Sequence, residues 1–259
     1  MKLLELKGVT KAFGGIMACR DVSFATKQGQ IMGLIGPNGA GKTTMFNLIT
    51  GVYAPTSGSI LFQGQELAGM GPDGVVARGI ARTFQNIRLF RNLSVLDNVC
   101  IAVDKHADYS FAAALLRLPN ILTREAEIRN KAMEYLTEVG LADKAMVQAD
   151  SLPYGLQRKL EIARALALQP KLLLLDEPAA GMNPEESQDL AKLIRRIHQQ
   201  HNLTILLIEH HMDVIMELCD TIFVLNFGIK LAEGTAQAIQ SNPDVLRAYL
   251  GEGYKRVRG

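Results

Sequence analysis

The hydrophobic pattern of the chain begins as that of β-strands. Apolar and polar residues alternate over residues 4–9, and residues 21–24 repeat this alternation, which predicts two half-buried strands. Residues 30–35 form a largely apolar run that leads directly into a glycine-rich turn, and residues 57–62 predict a further strand that ends in a turn at Gln63-Gly64. The beginning of the chain is therefore predicted to be rich in β-structure.

The pattern becomes helical in the middle of the chain. Residues 124–139 place apolar side chains at helical spacing among charged ones, and Gly140 is well placed to end this helix. Continuous apolar runs return at residues 172–175 and 203–208, each followed by helix-compatible sequence. Apolar strands that alternate with helices predict a parallel sheet covered on both faces. We therefore expect an α/β fold with a mostly helical insertion at about residues 86–160.

The composition is that of an ordinary globular protein and narrows the possible partners. Of the 259 residues, 48% are hydrophobic and 21% are charged, far from the composition of disordered chains. The formal net charge of +2 is too small to suggest the concentrated basic face that nucleic acids require. The sequence has no signal-peptide pattern and no apolar run near the roughly 20 residues that span a bilayer. A cytosolic location is expected, unless a partner holds the chain at a membrane.

The three cysteines, Cys19, Cys100 and Cys219, are scattered along the chain without the spacing of a metal site. An odd and unclustered set is typical of a reducing compartment. We expect these side chains to pack as small apolar residues and not to form a disulfide framework.

The turn after residues 30–35 matches the phosphate-binding pattern G-x-x-x-x-G-K-[ST] between a strand and a helix. Glycines allow backbone N–H groups to turn toward phosphate oxygens, and the following helix directs its positive end at the same anion. Lys42 is expected to neutralise charge on the β- and γ-phosphates of ATP, Thr43 to bind Mg²⁺ through its hydroxyl, and Thr44 to contact the α-phosphate. The predicted ATP-binding residues of this loop are Gly36, Pro37, Asn38, Gly39, Ala40, Gly41, Lys42, Thr43 and Thr44.

Two adjacent carboxylates follow the apolar run at residues 172–175. Because ligands bind at the carboxyl ends of strands in open parallel sheets, Asp176 and Glu177 are predicted to lie beside the phosphate loop. Asp176 is expected to hold Mg²⁺ through water, and Glu177 to orient and polarise the attacking water as general base. Together these two motifs predict a P-loop NTPase and no narrower family.

The other motifs resemble those of the ATPase subunits of ABC transporters, and this resemblance covers nearly the whole chain. Residues 83–85, Thr-Phe-Gln, resemble that family's glutamine loop, which implies that Gln85 binds Mg²⁺ and senses a membrane partner. Residues 152–157 resemble the LSGGQ signature, which covers the nucleotide of the opposite subunit. His210 resembles the switch histidine that contacts the γ-phosphate, and Phe13 lies where the family stacks an aromatic ring on adenine. The resemblance implies the catalytic residues Glu177, His210 and Lys42, the metal ligands Thr43, Gln85 and Asp176, and the signature residues Leu152, Pro153, Tyr154, Gly155, Leu156 and Gln157.

Within the ABC family, four features are similar to the ATPases of branched-chain amino acid importers, in particular to the subunit usually called G. These are the Leu-x-Tyr-Gly-x-Gln signature, the segment Asp-Glu-Pro-Ala-Ala-Gly-Met-Asn-Pro, the terminus Asn-Pro-Asp-Val-Leu-Arg-Ala-Tyr-Leu-Gly and an insertion at about residues 101–128. The implied fold is an ABC-type P-loop NTPase with a parallel sheet core, an N-terminal antiparallel β subdomain and an inserted helical subdomain. It would comprise an ATPase domain over residues 1–240 and a short C-terminal extension over residues 241–259.

The resemblance also implies partners and a location. A second ABC ATPase subunit, identical or homologous, would form a head-to-tail dimer with this chain at the cytoplasmic face of the inner membrane. The dimer would bind two permease subunits and act indirectly with a periplasmic substrate-binding protein, without nucleic acid. ATPases of urea or lipopolysaccharide transporters share much of the pattern. A soluble ABC ATPase of translation, DNA repair or cluster assembly is a further alternative, although such proteins usually carry two ATP domains or a long coiled-coil insertion.

Four positions depart from the family pattern. Pro153 stands at the serine of the signature, and Leu156 replaces a polar residue before Gln157. Asn183 replaces the usual aspartate of the loop after the catalytic glutamate, and His211 follows the switch histidine where many relatives carry aspartate. Proline can donate neither an O–H nor an N–H group to a phosphate. Because a charge-assisted hydrogen bond is worth about 1.5–3 kcal/mol, the composite site covered by this signature is expected to turn over more slowly.

Overall fold

The computed structural model describes residues 1–104 and 119–250. The strands of these residues are β1 (Lys2–Phe13), β2 (Ile16–Lys27), β3 (Ile31–Ile35), β4 (Ser57–Phe62), β5 (Gln65–Glu66), β6 (Ile80–Arg82), β7 (Leu172–Asp176), β8 (Thr204–Ile208), β9 (Thr221–Asn226) and β10 (Ile229–Gly234). The helices are α1 (Lys42–Ile49), α2 (Pro72–Ala77), α3 (Val95–Asp104), α4 (Pro119–Glu138), α5 (Tyr154–Ala167), α6 (Pro184–His201), α7 (Met212–Leu218), α8 (Ala236–Gln240) and α9 (Pro243–Leu250). Residues 105–118 of the predicted insertion and residues 251–259 of the predicted C-terminal extension lie outside the described residues.

The strands form two sheets. The first has the order β2-β1-β4-β5 and is antiparallel, with Leu6 of β1 opposite both Phe24 of β2 and Ile60 of β4. The second has the order β10-β9-β3-β8-β7-β6, and its strands are parallel from β9 to β6. Strand β10 pairs antiparallel with β9 at the edge. The predicted parallel core and N-terminal antiparallel subdomain are therefore confirmed.

The centre of the parallel sheet is covered on both faces, as its apolar runs predict. Every residue of β3, β7 and β8 is buried. Met45, Phe46 and Ile49 of α1 are also fully buried and belong to the core cluster of the sheet. Because β3 and α1 are both held by this core, the chain between Ile35 and Lys42 has to turn within a few residues. This short connection is the predicted phosphate loop.

The chain divides into two compact units. The first comprises Met1–Arg82 and Lys171–Gly259 and contains both sheets. The second, Thr83–Pro170, is helical in its described part, where α3, α4 and α5 pack on one another with Val99, Leu136 and Leu160 fully buried.

The helix predicted at residues 124–139 is present as α4, which begins earlier than the prediction. Gly140 follows this helix with a φ of 74°. Glycine reaches this left-handed conformation without steric cost, and for that reason it commonly ends helices. In the described part of the chain, no helix is both long and apolar enough to cross a membrane.

The three cysteines are free thiols, of which Cys19 and Cys219 are buried and Cys100 is half-buried. Burial raises the pKa of the Cys219 thiol to about 12 and also raises the pKa values of Cys19 and Cys100. These side chains are therefore protonated near neutral pH and pack as small apolar groups.

Candidate functional site

The connection between β3 and α1 is shaped by glycines that allow close backbone approach. A Cβ atom at Gly36 would lie 2.1 Å from the carbonyl oxygen of Leu225, and one at Gly41 would lie 2.6 Å from that of Ala18. Gly39 has a φ of 78°, and a Cβ atom there would meet no neighbouring group within 4 Å. The loop is thus packed against the protein on one side and open on the other. This geometry fits a cradle of backbone amides for an anion.

Lys42, the first residue of α1, directs its side chain back across this loop. The residue is 6% exposed, and its Nζ donates hydrogen bonds to the carbonyl oxygens of Gly36 (2.7 Å) and Pro37 (3.0 Å). Burial lowers the pKa of the Lys42 ammonium, while the negative charges of Glu177 and Asp176 oppose this shift. The loop, the ammonium and the two predicted carboxylates therefore lie together in the first unit.

Glu177 has an uncommon backbone conformation at the carboxyl end of the parallel sheet. Its φ is 48°, in the left-handed region that non-glycine residues rarely adopt, and its N–H donates to the carbonyl oxygen of Ile208 at 2.9 Å. The side chain is 16% exposed, and its Oε1 lies 2.9 Å from Nε2 of His210. Such strained residues cluster at functional sites. The arrangement holds the Glu177 carboxylate, which can accept a proton from water, at hydrogen-bonding distance from His210.

Asp176 has a partner that sequence reasoning missed. Nη2 of Arg82, at the end of β6, donates to Asp176 Oδ2 at 2.7 Å, and both side chains are almost fully buried. Nη1 of the same guanidinium donates to Asn47 Oδ1 at 2.7 Å, which ties β7 to α1. A single charged residue that ends an otherwise apolar strand was the available sequence signal. Arg82 fixes the orientation of the carboxylate predicted to hold Mg²⁺.

Glu209 is a second site residue whose role the sequence did not reveal. It is 1% exposed, and its Oε1 accepts the N–H of Ala179 at 2.7 Å, while its Oε2 accepts the N–H groups of His210 at 2.8 Å and His211 at 3.1 Å. Nδ1 of His211 also lies 3.1 Å from Oε2, which gives the histidine at this unusual position a local partner. One buried carboxylate thus joins the segment after Glu177 to the segment that carries His210.

Replacing Glu209 by glutamine tests this connection. The amide keeps one acceptor oxygen but presents an NH₂ group to N–H donors, so the free energy of unfolding should fall by about 1.5–3 kcal/mol. ATP turnover should fall by roughly 10- to 100-fold, because displacing a positioned group by about 1 Å can cost roughly 100-fold. Thermal unfolding and phosphate release at saturating ATP would measure both effects. Glu233→Gln at the exposed pair with Lys230 is the matched control, and equal behaviour of the two variants would contradict the role of Glu209.

Phe13 lies at the end of β1 with 41% of its surface exposed. Its ring meets the ring of Tyr53 edge-on, with centroids 5.1 Å apart and an interplanar angle of 76°. Lys11 Nζ lies 5.0 Å from the same ring. An exposed ring held in this way is suited to stacking on a planar base.

Gln85 and the predicted signature residues belong to the second unit. Pro153 precedes the first turn of α5, and its carbonyl oxygen accepts the N–H groups of Leu156 (2.9 Å) and Gln157 (3.0 Å). The Gln157 side chain donates to the carbonyl oxygen of Leu152 at 2.8 Å. Proline fits here because backbone N–H groups at a helix start have no intrahelical partner. Pro153 therefore preserves the start of the signature helix, although it removes two potential donors.

The departure at Asn183 also has a local explanation. The Asn183 side chain accepts the N–H of Glu186 at 2.9 Å, and the Glu186 carboxylate accepts the N–H of Asn183 at 3.0 Å. This reciprocal pair is a capping box at the start of α6. Asparagine and aspartate cap helices about equally well, so the replacement keeps the helix start.

The predicted metal ligands are one carboxylate, one hydroxyl and one amide. Within the described residues no group of three or more His, Cys, Asp or Glu side chains could hold a metal ion. Mg²⁺ needs no such cluster, because it usually keeps several waters and binds through one or two carboxylates and substrate phosphates. Asp176, which Arg82 orients, and Thr43 in the first turn of α1 fit this pattern.

Comparisons with known proteins support this resemblance over almost the whole chain. Residues 19–180 match the family model of ABC transporters, and residues 230–255 match that of branched-chain amino acid ATP-binding cassette transporters. LivG of Escherichia coli (strain K12), a high-affinity branched-chain amino acid transport ATP-binding protein, is 45% identical over 250 residues, which cover 96% of this chain and 98% of LivG.

Two solved structures share the fold. An ATP-binding cassette of an ABC transporter in its ADP conformation matches with a TM-score of 0.85 and 29% identity, over 97% of this chain and 100% of that one. A dimeric ATP-binding cassette bound to ADP and phosphate after hydrolysis matches with a TM-score of 0.76 and 26% identity, over 90% of this chain and 99% of that one. The chain belongs to the ATP-binding, ATP-hydrolysing proteins of ABC transporters.

Proposed function

We propose that this chain is the ATP-hydrolysing subunit of an importer of branched-chain amino acids. The observation that carries the proposal is the 45% identity to LivG along almost its whole length, together with the match of residues 230–255 to the branched-chain family model. The geometry of the first unit supplies the chemistry. The identity of the imported substrate rests on this likeness, because the substrate crosses the membrane through other subunits.

In this proposal the first unit binds ATP by its phosphates. The loop amides from Gly36 to Gly41 and the start of α1 surround the phosphate oxygens, and the Lys42 ammonium moves from its two loop carbonyls to the β- and γ-phosphates. The exposed ring of Phe13 stacks on adenine, which is worth about 1–3 kcal/mol by analogy with base stacking. Bound Mg²⁺, held by Thr43, Gln85 and Asp176, would neutralise phosphate charge.

Hydrolysis then depends on Glu177 and His210. Glu177 orients the attacking water and accepts its proton, while His210, 2.9 Å from Glu177 in this structure, contacts the γ-phosphate. The buried Glu209 carboxylate holds the backbone N–H groups of Ala179, just after Glu177, and of His210 in place. Loss of the γ-phosphate removes the contacts that depend on it, so a closed pair of ATPase subunits would reopen.

The proposed assembly follows from the composite nature of the site. The signature at residues 152–157 would cover the nucleotide of a second ATPase subunit, in a head-to-tail dimer. Two permease subunits would bind this dimer at the cytoplasmic face of the membrane, and a periplasmic substrate-binding protein would deliver the substrate. The dimeric cassette with ADP and phosphate is a precedent for the paired arrangement.

Uptake of radiolabelled leucine tests the proposal. In cells from which this chain has been deleted, high-affinity leucine uptake should fall at least tenfold, because ATP hydrolysis drives the importer. Wild-type chain and Glu185→Gln, which changes an exposed carboxylate of α6, should restore uptake, and Glu177→Gln should not. Unchanged leucine uptake together with lost uptake of urea or another solute would refute the substrate assignment and leave the ATPase assignment intact.

A further inference from the structure

A fully buried arginine lies directly after the predicted signature. Arg158 is 0% exposed, and its guanidinium donates to the carbonyl oxygens of Phe84 (2.5 Å) and Gln85 (2.7 Å), to the Glu161 carboxylate (2.8 Å) and to the Tyr154 hydroxyl (3.0 Å). We call these five residues the Arg158 cluster, and all of them belong to the second unit. Burying a cation is unfavourable unless it is paired and hydrogen-bonded, so these contacts are required for the guanidinium to stay inside.

The cluster connects two segments that are far apart in sequence. Residues 83–94 contain neither helix nor strand, so their backbone groups need partners outside the regular elements. Helix α5 supplies the partners at Phe84, Gln85 and Arg88. Arg158 donates to the carbonyl oxygens of Phe84 and Gln85, Glu161 accepts the N–H of Arg88 at 3.0 Å, and Arg164 donates to the carbonyl oxygen of Arg88. Positions 158, 161 and 164 lie on the same side of a helix. Hydrogen bonds therefore hold the backbone at Gln85 to α5, the helix that begins at the signature residue Tyr154.

Tyr154 brings the signature itself into this connection. It is the first residue of α5, its ring is partly exposed, and its hydroxyl accepts from the same guanidinium nitrogen that donates to the carbonyl oxygen of Gln85. The Arg158 carbon Cζ lies 5.7 Å from the centre of the Tyr154 ring, which adds a weak cation–π contact. A displacement of Tyr154 would therefore act on Nη2 of Arg158, the nitrogen that donates to the carbonyl oxygen of Gln85.

We propose that Arg158 is a positioning residue that couples Tyr154 in the signature to the backbone of Gln85. The inference rests on the proposed function, in which the signature covers the partner subunit's nucleotide and Gln85 is a Mg²⁺ ligand of this chain's own site. Contact of the signature with the partner subunit's nucleotide then sets the position of Gln85, the proposed metal ligand at this chain's own nucleotide. The planar guanidinium is needed because it offers several donors at fixed angles, which a lysine ammonium cannot match.

Hydrogen exchange of the full-length chain tests the physical connection. Arg158→Lys should accelerate exchange of the backbone amides of residues 84–90 by about tenfold, the effect of losing roughly one hydrogen bond to a charged group. Tyr154→Phe removes only the hydroxyl of a partly exposed side chain, so it should fold normally and accelerate the same amides by about threefold. Tyr135→Phe, at a buried tyrosine of α4 outside the cluster, is the matched control and should leave residues 84–90 unchanged. Wild-type exchange rates at residues 84–90 in both cluster variants would overturn the proposal.

The Mg²⁺ dependence of ATP hydrolysis separates positioning from mere structural support. In both cluster variants the Mg²⁺ concentration for half-maximal hydrolysis should rise, by about tenfold for Arg158→Lys and threefold for Tyr154→Phe, while Tyr135→Phe keeps the wild-type value. The opposite outcome is that the two cluster variants fold and show faster exchange at residues 84–90 while the Mg²⁺ concentration for half-maximal hydrolysis stays at the wild-type value. That result would show that Arg158 has only a structural role, and it would overturn the coupling. Absence of hydrolysis by the wild-type chain assembled with its second ATPase subunit and the permeases would refute the proposed function, while the exchange experiment on this chain would still decide whether the Arg158 cluster holds residues 84–90 in place.

Discussion

Replacing Glu177 by glutamine is expected to reduce ATP turnover by about 100- to 1,000-fold, because a positioned general base contributes roughly 10²–10⁴-fold. Glutamine preserves the shape of the side chain and can still approach His210, which lies 2.9 Å from the carboxylate. It can no longer accept a proton from water. Steady-state phosphate release measures the loss, and ATP binding by calorimetry should stay within about threefold of wild type, since Glu177 is not predicted to hold the nucleotide.

The control for this variant is Glu185→Gln. Glu185 is an exposed carboxylate in the first turn of α6, and its replacement also removes one negative charge from the first unit. Turnover of this variant should match wild type within about twofold. If Glu177→Gln retained more than a tenth of wild-type turnover, another group would have to activate the water.

The central strands and the phosphate loop could be predicted because their signals are local. A run such as Leu172–Leu175 has to be buried on both faces, and the glycine pattern before Lys42 has few other uses. By contrast, β6 has only three residues, and β10 is an edge strand without buried residues, so neither leaves a distinct hydrophobic pattern. The pairing between β9 and β10 defines that edge, and pairing is a tertiary property that residue patterns do not encode.

The positioning residues of the site were missed for a related physical reason. Arg82 acts on Asp176, 94 positions away, and Arg158 acts on Phe84 and Gln85, more than 70 positions away. In the sequence Arg82 ends a short apolar run and Arg158 stands between Gln157 and Lys159, and a solvated surface gives both of these patterns as well. Their roles depend on burial, which becomes visible only when the strands and helices have been assembled. Glu209 is similar, because its importance lies in the number of N–H groups that one buried carboxylate accepts.

Replacing Lys42 by methionine is expected to weaken ATP binding by about 10- to 100-fold, since a hydrogen bond to a charged group is worth about 1.5–3 kcal/mol. Methionine has a similar unbranched stem and therefore fills the buried path of the lysine. It lacks the ammonium that bonds the carbonyl oxygens of Gly36 and Pro37 and that would transfer to the phosphates. Titration calorimetry of the purified chain with ATP and Mg²⁺ gives the dissociation constant directly.

Lys192→Met provides the comparison for this variant, because it removes an ammonium of the same charge from an exposed position of α6, where Lys192 pairs with Asp189 at 3.2 Å. Its dissociation constant for ATP should equal that of wild type, since an exposed pair contributes little. Lowering the net charge alone would affect both variants equally. A selective loss in Lys42→Met would therefore place the effect at the phosphate loop, whereas equal affinities in the two variants would mean that the loop amides bind the phosphates without the ammonium.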